Sequence, residues 1–255
     1  MHKRRFTILG IVVMCLISCQ FSENIYVNED GTGKMEFSMD ASELMKMAAG
    51  MDEGKLSPGM DKKMDSTIVF KEFLNEKSDS IATLSKEDQK KLKVLENFEM
   101  HMVSDPATNK MVFDISSKFE SVKKIKELFN AMNSMGNLQG QGGLSSNDSS
   151  NPFALMRSGG NTDVNFSFKN NVFKRSSKVI DTLVQKQAMD SMTDMAMMFE
   201  ASNYKLNYHF KKRIKSVSNE NAIISEDGMS VVLDVSFMES LRAPELLNIE
   251  VVLED

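Results

Sequence analysis

IYVNEDGTGKMEFSM, residues 25–39, has the clearest strand pattern in the chain. Apolar and polar side chains alternate on both sides of Asp30 and Gly31, so that Met35, Phe37 and Met39 share one face. Two alternating runs around an Asp-Gly pair predict a β-hairpin, because glycine tolerates the left-handed backbone of a tight turn. The stretch therefore predicts a half-buried antiparallel sheet as the base of the fold.

The same order, a hairpin followed by a helix, recurs along the chain. Further hairpins are predicted within 98–115, 163–174 and 221–235, and helices within 40–49, 66–77, 85–97, 120–135 and 186–200. Additional strands are predicted over 204–210 and 246–253. The resulting fold class is α+β: a mainly antiparallel sheet built from successive β-hairpins, with helices packed on one face.

Polar segments separate these elements. Residues 20–24 are predicted to be a short tether, residues 50–65 a loop, and residues 136–151, rich in Gly, Ser and Asn, a flexible linker. Because the segments after this linker are short, we expect one α+β domain over 19–255.

The first nineteen residues have a different character. A basic head of His2, Lys3 and two arginines precedes an apolar run of about 12 residues, which is too short for a membrane-spanning helix of roughly 20. A basic head and a short apolar core indicate a secretory signal peptide over 1–18. A simple secretory peptide that is cut elsewhere is the alternative.

The end of this segment, Leu16-Ile17-Ser18-Cys19, resembles the lipobox of bacterial lipoproteins. The resemblance implies cleavage before Cys19, a diacylglycerol on its sulfur and acylation (palmitate) of its new amine. Two or more acyl chains anchor a protein stably to a membrane. Cys19 is therefore the predicted lipidation site.

Composition restricts the remaining function classes. The formal net charge is −5 and there is no strong basic patch, so a nucleic-acid partner is not expected. The two cysteines are Cys15, which would leave with the leader, and Cys19, so neither would remain as a free thiol. The core must use Phe, aliphatic residues and many of the 22 methionines, since Trp is absent.

The most prominent candidate site is the methionine-rich helix over 186–200. Its methionines could offer thioether ligands to Cu(I), but the spacing of Met189, Met192 and Met195 also fits a buried helix stripe. Core packing is favoured, and copper binding stays open. The remaining methionines of this group are Met197 and Met198.

Other chemistry-bearing residues lack a recognisable pattern. His101 and His209 are expected on polar strand faces with no acid at ligand spacing, which indicates surface histidines. The acids Asp61, Asp65, Asp79, Glu87, Asp88, Glu239 and Glu245 are scattered, so a hydrolase would need acids that converge only in the fold.

Two further groups are candidate interaction surfaces. The basic run Lys211-Lys212-Arg213, with Lys215, either faces a membrane or acidic partner or is a solvated strand end. The aromatic positions Tyr204, Tyr208 and Phe210 either line a lipid groove or belong to the core, and the core is the simpler interpretation.

Residues 25–33, with Tyr208-His209-Phe210 leading to Val217-Ser218 and the Asp227-Gly228 turn, resemble the LppM-type lipoprotein domain. Such domains open with a strand, an Asp-Gly turn and a strand, and are thought to contact lipid. The methionine- and asparagine-rich style also resembles lipoproteins of the Bacteroidota. Their surface lipoproteins tend to carry an acidic cluster after the cysteine, whereas residues 20–24 hold one acid, so a periplasm-facing position at the outer membrane is favoured.

We therefore expect a membrane-anchored cell-envelope lipoprotein that acts as a non-enzymatic binding module for an envelope protein or lipid. No catalytic residue, cofactor or metal is predicted. The alternatives are a carrier of lipid or another small hydrophobic ligand and a hydrolase.

Overall fold

A computed structural model describes residues 20–49, 62–83, 85–135, 161–191 and 199–255. Its strands are β1 (Gln20–Val27), β2 (Gly33–Asp40), β3 (Met64–Val69), β4 (Phe98–Asp105), β5 (Lys110–Phe119), β6 (Thr162–Lys169), β7 (Val172–Val179), β8 (Asn203–Phe210), β9 (Ile214–Val217), β10 (Ile223–Ile224), β11 (Ser230–Ser236) and β12 (Ile249–Leu253). The helices are α1 (Ser42–Ala49), α2 (Phe70–Glu76), α3 (Ser78–Ala82), α4 (Lys86–Leu95), α5 (Ile125–Met135), α6 (Thr182–Ser191) and α7 (Phe237–Arg242), and 3-10 turns occupy Val122–Lys124 and Pro244–Leu247.

The strands form two sheets. The large sheet has eight strands in the order β10-β11-β8-β1-β2-β5-β4-β3, and the small sheet has four in the order β6-β7-β12-β9. The strand pairs are antiparallel except for β1 and β8, which run parallel with Gln20 beside Asn203 and Val27 beside Phe210. These observations confirm the predicted α+β class with mainly antiparallel pairing.

Except for the edge strands β3 and β10, each strand of the large sheet buries one of its two faces. In β1 the side chains of Phe21, Glu23, Ile25 and Val27 are buried, while the residues between them are more exposed. This inner face packs against the small sheet and against α4 and α5, forming a core that includes Ile25, Phe173, Tyr208, Ile125 and Val251. Burial of an apolar side chain of this size contributes about 1.5–3 kcal/mol, so this interlayer is the main source of stability.

A second, smaller core lies at the end of the large sheet where β1 begins. Phe21 stacks on Phe237 of α7 with a centroid separation of 4.0 Å, and Phe199 packs against both rings. Methionines fill the space around them: Met39, Met45, Met111 and Met238 are buried in the same cluster. We call this end of the molecule, where Gln20 pairs with Asp40 and Asn203, the Gln20 end.

The turns show why the hairpins could be predicted. Gly31 has φ +80, and a Cβ on Gly33 would lie 1.9 Å from the carbonyl oxygen of Tyr26, so both glycines are required by the first turn. In the third hairpin Asn170 and Asn171 take φ +52 and +58, as a two-residue turn of the favoured hand requires. Turn chemistry is local, and each predicted hairpin is confirmed.

Several predicted boundaries are wrong. Residues 20–24 are not a tether, because β1 begins at Gln20 and pairs with β2 and β8 from its first residue. Met64–Val69 is a strand paired with β4, where a loop and a helix start were predicted; helix α2 begins at Phe70. Strand β9 was not predicted, and the helix expected from 186 begins at Thr182.

Some predictions concern residues outside the described part of the chain. They include the signal peptide with Cys19, the linker over 136–151, Asp61, and Met192 to Met198.

Candidate functional site

A buried pair of opposite charges joins the two sheets. Glu23 occupies an inward position of β1 between Phe21 and Ile25, and Arg175 occupies an inward position of β7 between Phe173 and Ser177. Strand alternation therefore directs both charged side chains into the interlayer. Their side chains are only 1% and 3% exposed.

The Glu23 carboxylate accepts hydrogen bonds on both of its oxygens. Arg175 donates from Nε to Oε1 and from Nη2 to Oε2, each over 3.4 Å. The Tyr208 hydroxyl donates to Oε1 over 2.5 Å, and the Tyr204 hydroxyl donates to Oε2 over 3.1 Å. The carboxylate is thus held by a guanidinium and two phenols.

These surroundings also fix the ionisation of the partners. Burial and the neighbouring Glu23 carboxylate raise the pKa of Tyr204 and of Tyr208 well above the ordinary value for a phenol. Burial opposes the charge of Arg175, but the carboxylate outweighs it and the pKa of the guanidinium is raised. Arg175 is therefore positively charged, and Tyr204 and Tyr208 are neutral phenols that donate to Glu23.

The other donors of Arg175 connect it to the segment after α7. Nη1 donates to Ser177 Oγ over 3.1 Å and to the carbonyl oxygen of Leu247 over 3.2 Å. Ser177 in turn donates to the carbonyl oxygen of Pro244 and, from its backbone amide, to Asn248 Oδ1. The cluster consequently links β1, β7, β8 and the turn that enters β12.

Such an arrangement is suited to fixing the two sheets rather than to catalysis. Both carboxylate oxygens are already occupied by protein donors, and the acid is enclosed in the core. A general acid or base must instead reach a substrate proton within hydrogen-bond distance. We name Glu23, Arg175, Tyr204 and Tyr208 the interlayer cluster.

The interlayer cluster was not predicted from the sequence. The polar segment over 20–24 resembles a tether, although Phe21, Glu23, Ile25 and Val27 stand at alternate positions. Extending the strand to Gln20 would have put a carboxylate on the apolar face, which indicates a buried partner. The identity of that partner, more than 150 residues away in sequence, had no local signal.

A second charged group lies on the opposite, solvated face of the large sheet. His101 Nε2 lies 2.9 Å from Asp65 Oδ1, and His101 Nδ1 lies 3.7 Å from Asp114 Oδ2. No acid stands at ligand spacing from His101 in the sequence, but β3 and β5 flank β4 and bring both acids to it in the fold. As predicted for a surface histidine, the side chain of His101 is 41% exposed. The hydrogen bond with Asp65 raises the pKa of His101.

His209 has a different environment on the same face. Its ring stacks on Tyr26 with a centroid distance of 4.6 Å, and partial burial lowers its pKa. Within the described ranges, no group of three or more His, Cys, Asp and Glu side chains has an arrangement that could hold a metal ion.

The described part of the methionine-rich segment is partly packed in the core. Met189 on α6 lies against the smaller core that contains Phe21 and Phe237. This contact agrees with the core interpretation for Met189, while the copper hypothesis also depends on methionines outside the described residues.

The remaining predicted candidates do not assemble into one site among the described residues. Asp79, Glu239 and Glu245 are exposed on α3, α7 and the Pro244–Leu247 turn, respectively. The basic run around Lys212 follows the end of β8 at Phe210, which is the end of the sheet away from Gln20. Tyr208 and Phe210 belong to the core, as the strand pattern predicted.

Comparisons with known proteins give one distant structural likeness. The chain is similar to the folded domain of LppM from Mycobacterium tuberculosis, solved by NMR, with a TM-score of 0.38 and 8% identity over 92% of this chain and 91% of that chain. No protein-family model and no curated protein sequence matches. No helix in the described ranges has the length and apolarity needed to cross a membrane.

Proposed function

We propose that this chain is a lipid-anchored cell-envelope protein whose α+β domain acts as a non-enzymatic binding module. The observation that carries the proposal is the order of residues at the start of the chain. A basic head, a short apolar core and Leu16-Ile17-Ser18-Cys19 stand directly before Gln20, the first residue of a central strand. This order joins a lipid-attachment motif to a folded domain without an intervening segment.

Acylation of Cys19 accounts for membrane attachment in this proposal. Each buried methylene contributes about 0.8 kcal/mol, and two or more chains give stable anchoring. The single acid in residues 20–24, Glu23, supports a periplasm-facing position at the outer membrane, since it is buried and presents no acidic signal at the surface.

The interlayer cluster supports the absence of catalysis. Glu23 is the buried carboxylate of the described core, and its oxygens are occupied by Arg175, Tyr204 and Tyr208. Among the acids considered for a hydrolase, Asp79, Glu239 and Glu245 are exposed on separate elements, namely α3, α7 and the Pro244–Leu247 turn. Tyr208 and Phe210, which a carrier would need for a groove, instead contact Phe173 across the two sheets at centroid distances of 5.2 and 5.5 Å.

The proposal is tested by changing the two cysteines separately in the full-length precursor. Cys19→Ser should abolish acylation and move the protein from the membrane pellet to the soluble fraction in high salt. Cys15→Ser is the matched control, because this cysteine lies in the leader, and it should leave the protein in the pellet. Pelleting of Cys19→Ser under high salt, or an N-terminal peptide of the wild-type protein without an acyl adduct, would overturn the proposal.

A further inference from the structure

Three large apolar side chains are exposed at the corner between β7 and α6. Ile180, Leu183 and Val184 are 64%, 73% and 47% exposed. They lie within five consecutive residues, so they form one patch rather than isolated surface residues. We name residues 180–184 the apolar corner.

The backbone of the apolar corner is held in place by polar contacts. Asp181 Oδ1 accepts hydrogen bonds from the amides of Leu183 and Val184 over 2.8 and 3.2 Å, which caps the first turn of α6. Asn161 exchanges two further bonds with Asp181, and its carbonyl oxygen accepts from the amide of Ile180. The exposed apolar side chains thus stand on a braced turn.

The apolar corner lies at the Gln20 end of the molecule. Arg175 contacts Glu23 while Phe173 contacts Tyr208 and Phe210, so β7 runs toward the end where β1 begins. From α6, Gln185 donates to the carbonyl oxygen of Leu241 in α7. In the same helix α7, Phe237 stacks on Phe21, next to Gln20.

The distance between the lipid and the fold is set by covalent geometry. Cys19 directly precedes Gln20, and consecutive Cα atoms are about 3.8 Å apart. A domain attached to its lipid without a spacer must keep the Gln20 end at the membrane surface. Attachment of this kind also keeps the domain surface close to the bilayer at a high effective concentration, so that even a weak contact with lipid can form.

We propose that the apolar corner inserts into the interfacial region of the phospholipid bilayer beside the Cys19 lipid. The inference rests on the proposed anchoring and adds the orientation of the domain. Exposed Lys178 and Lys186 flank the corner in sequence and suit the headgroup level, where lysine side chains keep their charge in water. The basic run near Lys212 at the other end of the sheet then faces away from the membrane.

The absence of Trp from this chain permits a direct test. Full-length acylated protein carrying Leu183→Trp is reconstituted into phosphatidylcholine vesicles with or without brominated acyl chains. We expect brominated lipid to reduce the Trp emission by about two-fold or more, because the indole lies at the acyl boundary. Ile223→Trp is the matched control: Ile223 is 72% exposed on edge strand β10, and its emission should be unchanged.

The outcomes separate this inference from the proposed function. Mass spectrometry of the N-terminal peptide and pelleting in high salt establish whether each variant is acylated and anchored. If the protein is anchored but Leu183→Trp is quenched no more than Ile223→Trp, the insertion of the apolar corner is overturned and the anchor stands. If no acyl adduct is present, the proposed function fails.

Discussion

The interlayer cluster and the His101 group use similar chemistry in opposite environments. Glu23 and Arg175 form an ion pair whose side chains are 1% and 3% exposed, between the two sheets. His101 and Asp65 form a pair whose side chains are 41% and 72% exposed, on the outer face of the large sheet. Both pairs connect neighbouring strands or sheets, yet only the first has been removed from water.

This difference determines how much each pair matters. An exposed pair is screened by solvent and contributes little, with a median of about 0–1 kcal/mol. A buried pair gains little over apolar residues of the same shape, but removing one partner leaves a charge in the core and is strongly destabilising. Because it is buried, the interlayer cluster is required for the packing of the two sheets. The His101 group, which is exposed, changes the stability of the fold only slightly.

The largest expected effect comes from removing Arg175. Arg175→Met leaves the Glu23 carboxylate in the core without its cation, and we expect a loss of about 3–5 kcal/mol in the free energy of unfolding. Urea denaturation followed by circular dichroism measures the change. The control is Lys174→Met on the exposed face of the same strand, which should change stability by about 0.5 kcal/mol or less.

A second variant separates loss of the charge from loss of packing. Glu23→Gln with Arg175→Met leaves no buried charge and keeps a carbonyl oxygen for the tyrosine hydroxyls. The double variant should be more stable than Arg175→Met alone. Equal stability of the two variants would show that packing, and not the uncompensated carboxylate, explains the loss.

An intermediate effect is expected for Tyr208→Phe. This change removes the hydroxyl that donates to Glu23 Oε1 over 2.5 Å, and hydrogen bonds to charged groups contribute about 1.5–3 kcal/mol. Tyr204→Phe serves as the comparison, since its hydroxyl donates over 3.1 Å from a less buried position. Urea denaturation should show a smaller loss for Tyr204→Phe, and the reverse order would contradict the geometry of the cluster.

The smallest effect is expected at His101 and depends on pH. Its folded-state pKa is raised above 6.5, so its stabilising contribution is fully present below that pH and is lost as pH rises through the folded-state pKa. The destabilisation caused by His101→Gln should therefore be larger at pH 5.5 than at pH 8.5.

His209→Gln provides a control of opposite sign for this pH dependence. Burial lowers the pKa of His209 in the folded state. Its contribution to folding stability is therefore present above pH 6.5 and is lost as pH falls through the folded-state pKa. If both variants show the same change between the two pH values, general pH effects explain it and the His101–Asp65 contact does not.

Local features of the chain were predicted well. Asp30-Gly31 and Asn170-Asn171 specify turns through backbone preferences that act within four residues, so the hairpins around them could be predicted. The amphipathic pattern of α5 likewise predicted a helix that buries Ile125, Leu128 and Phe129. The interlayer cluster could not be predicted in this way, because the partner of Glu23 lies in another sheet.

The errors at strand boundaries have a common cause. Met64–Val69 shows little alternation between strongly apolar and polar side chains. Its strand conformation depends on hydrogen bonds with the edge of β4. Gln20–Asn24 is similarly polar on one face, but β2 and β8 pair with it on both sides. In both segments tertiary pairing outweighs the local pattern.

The α+β class, the hairpins and the lipobox-like motif at Cys19 can be inferred from short stretches of the chain, since each depends on neighbouring residues. The division of the strands into two sheets, the contact between Glu23 and Arg175, and the position of the apolar corner at the Gln20 end follow from the packing of the sheets. Burial and long-range pairing depend on how the layers assemble. Glu23 and Arg175 are 152 residues apart, so no short segment of sequence shows that they meet.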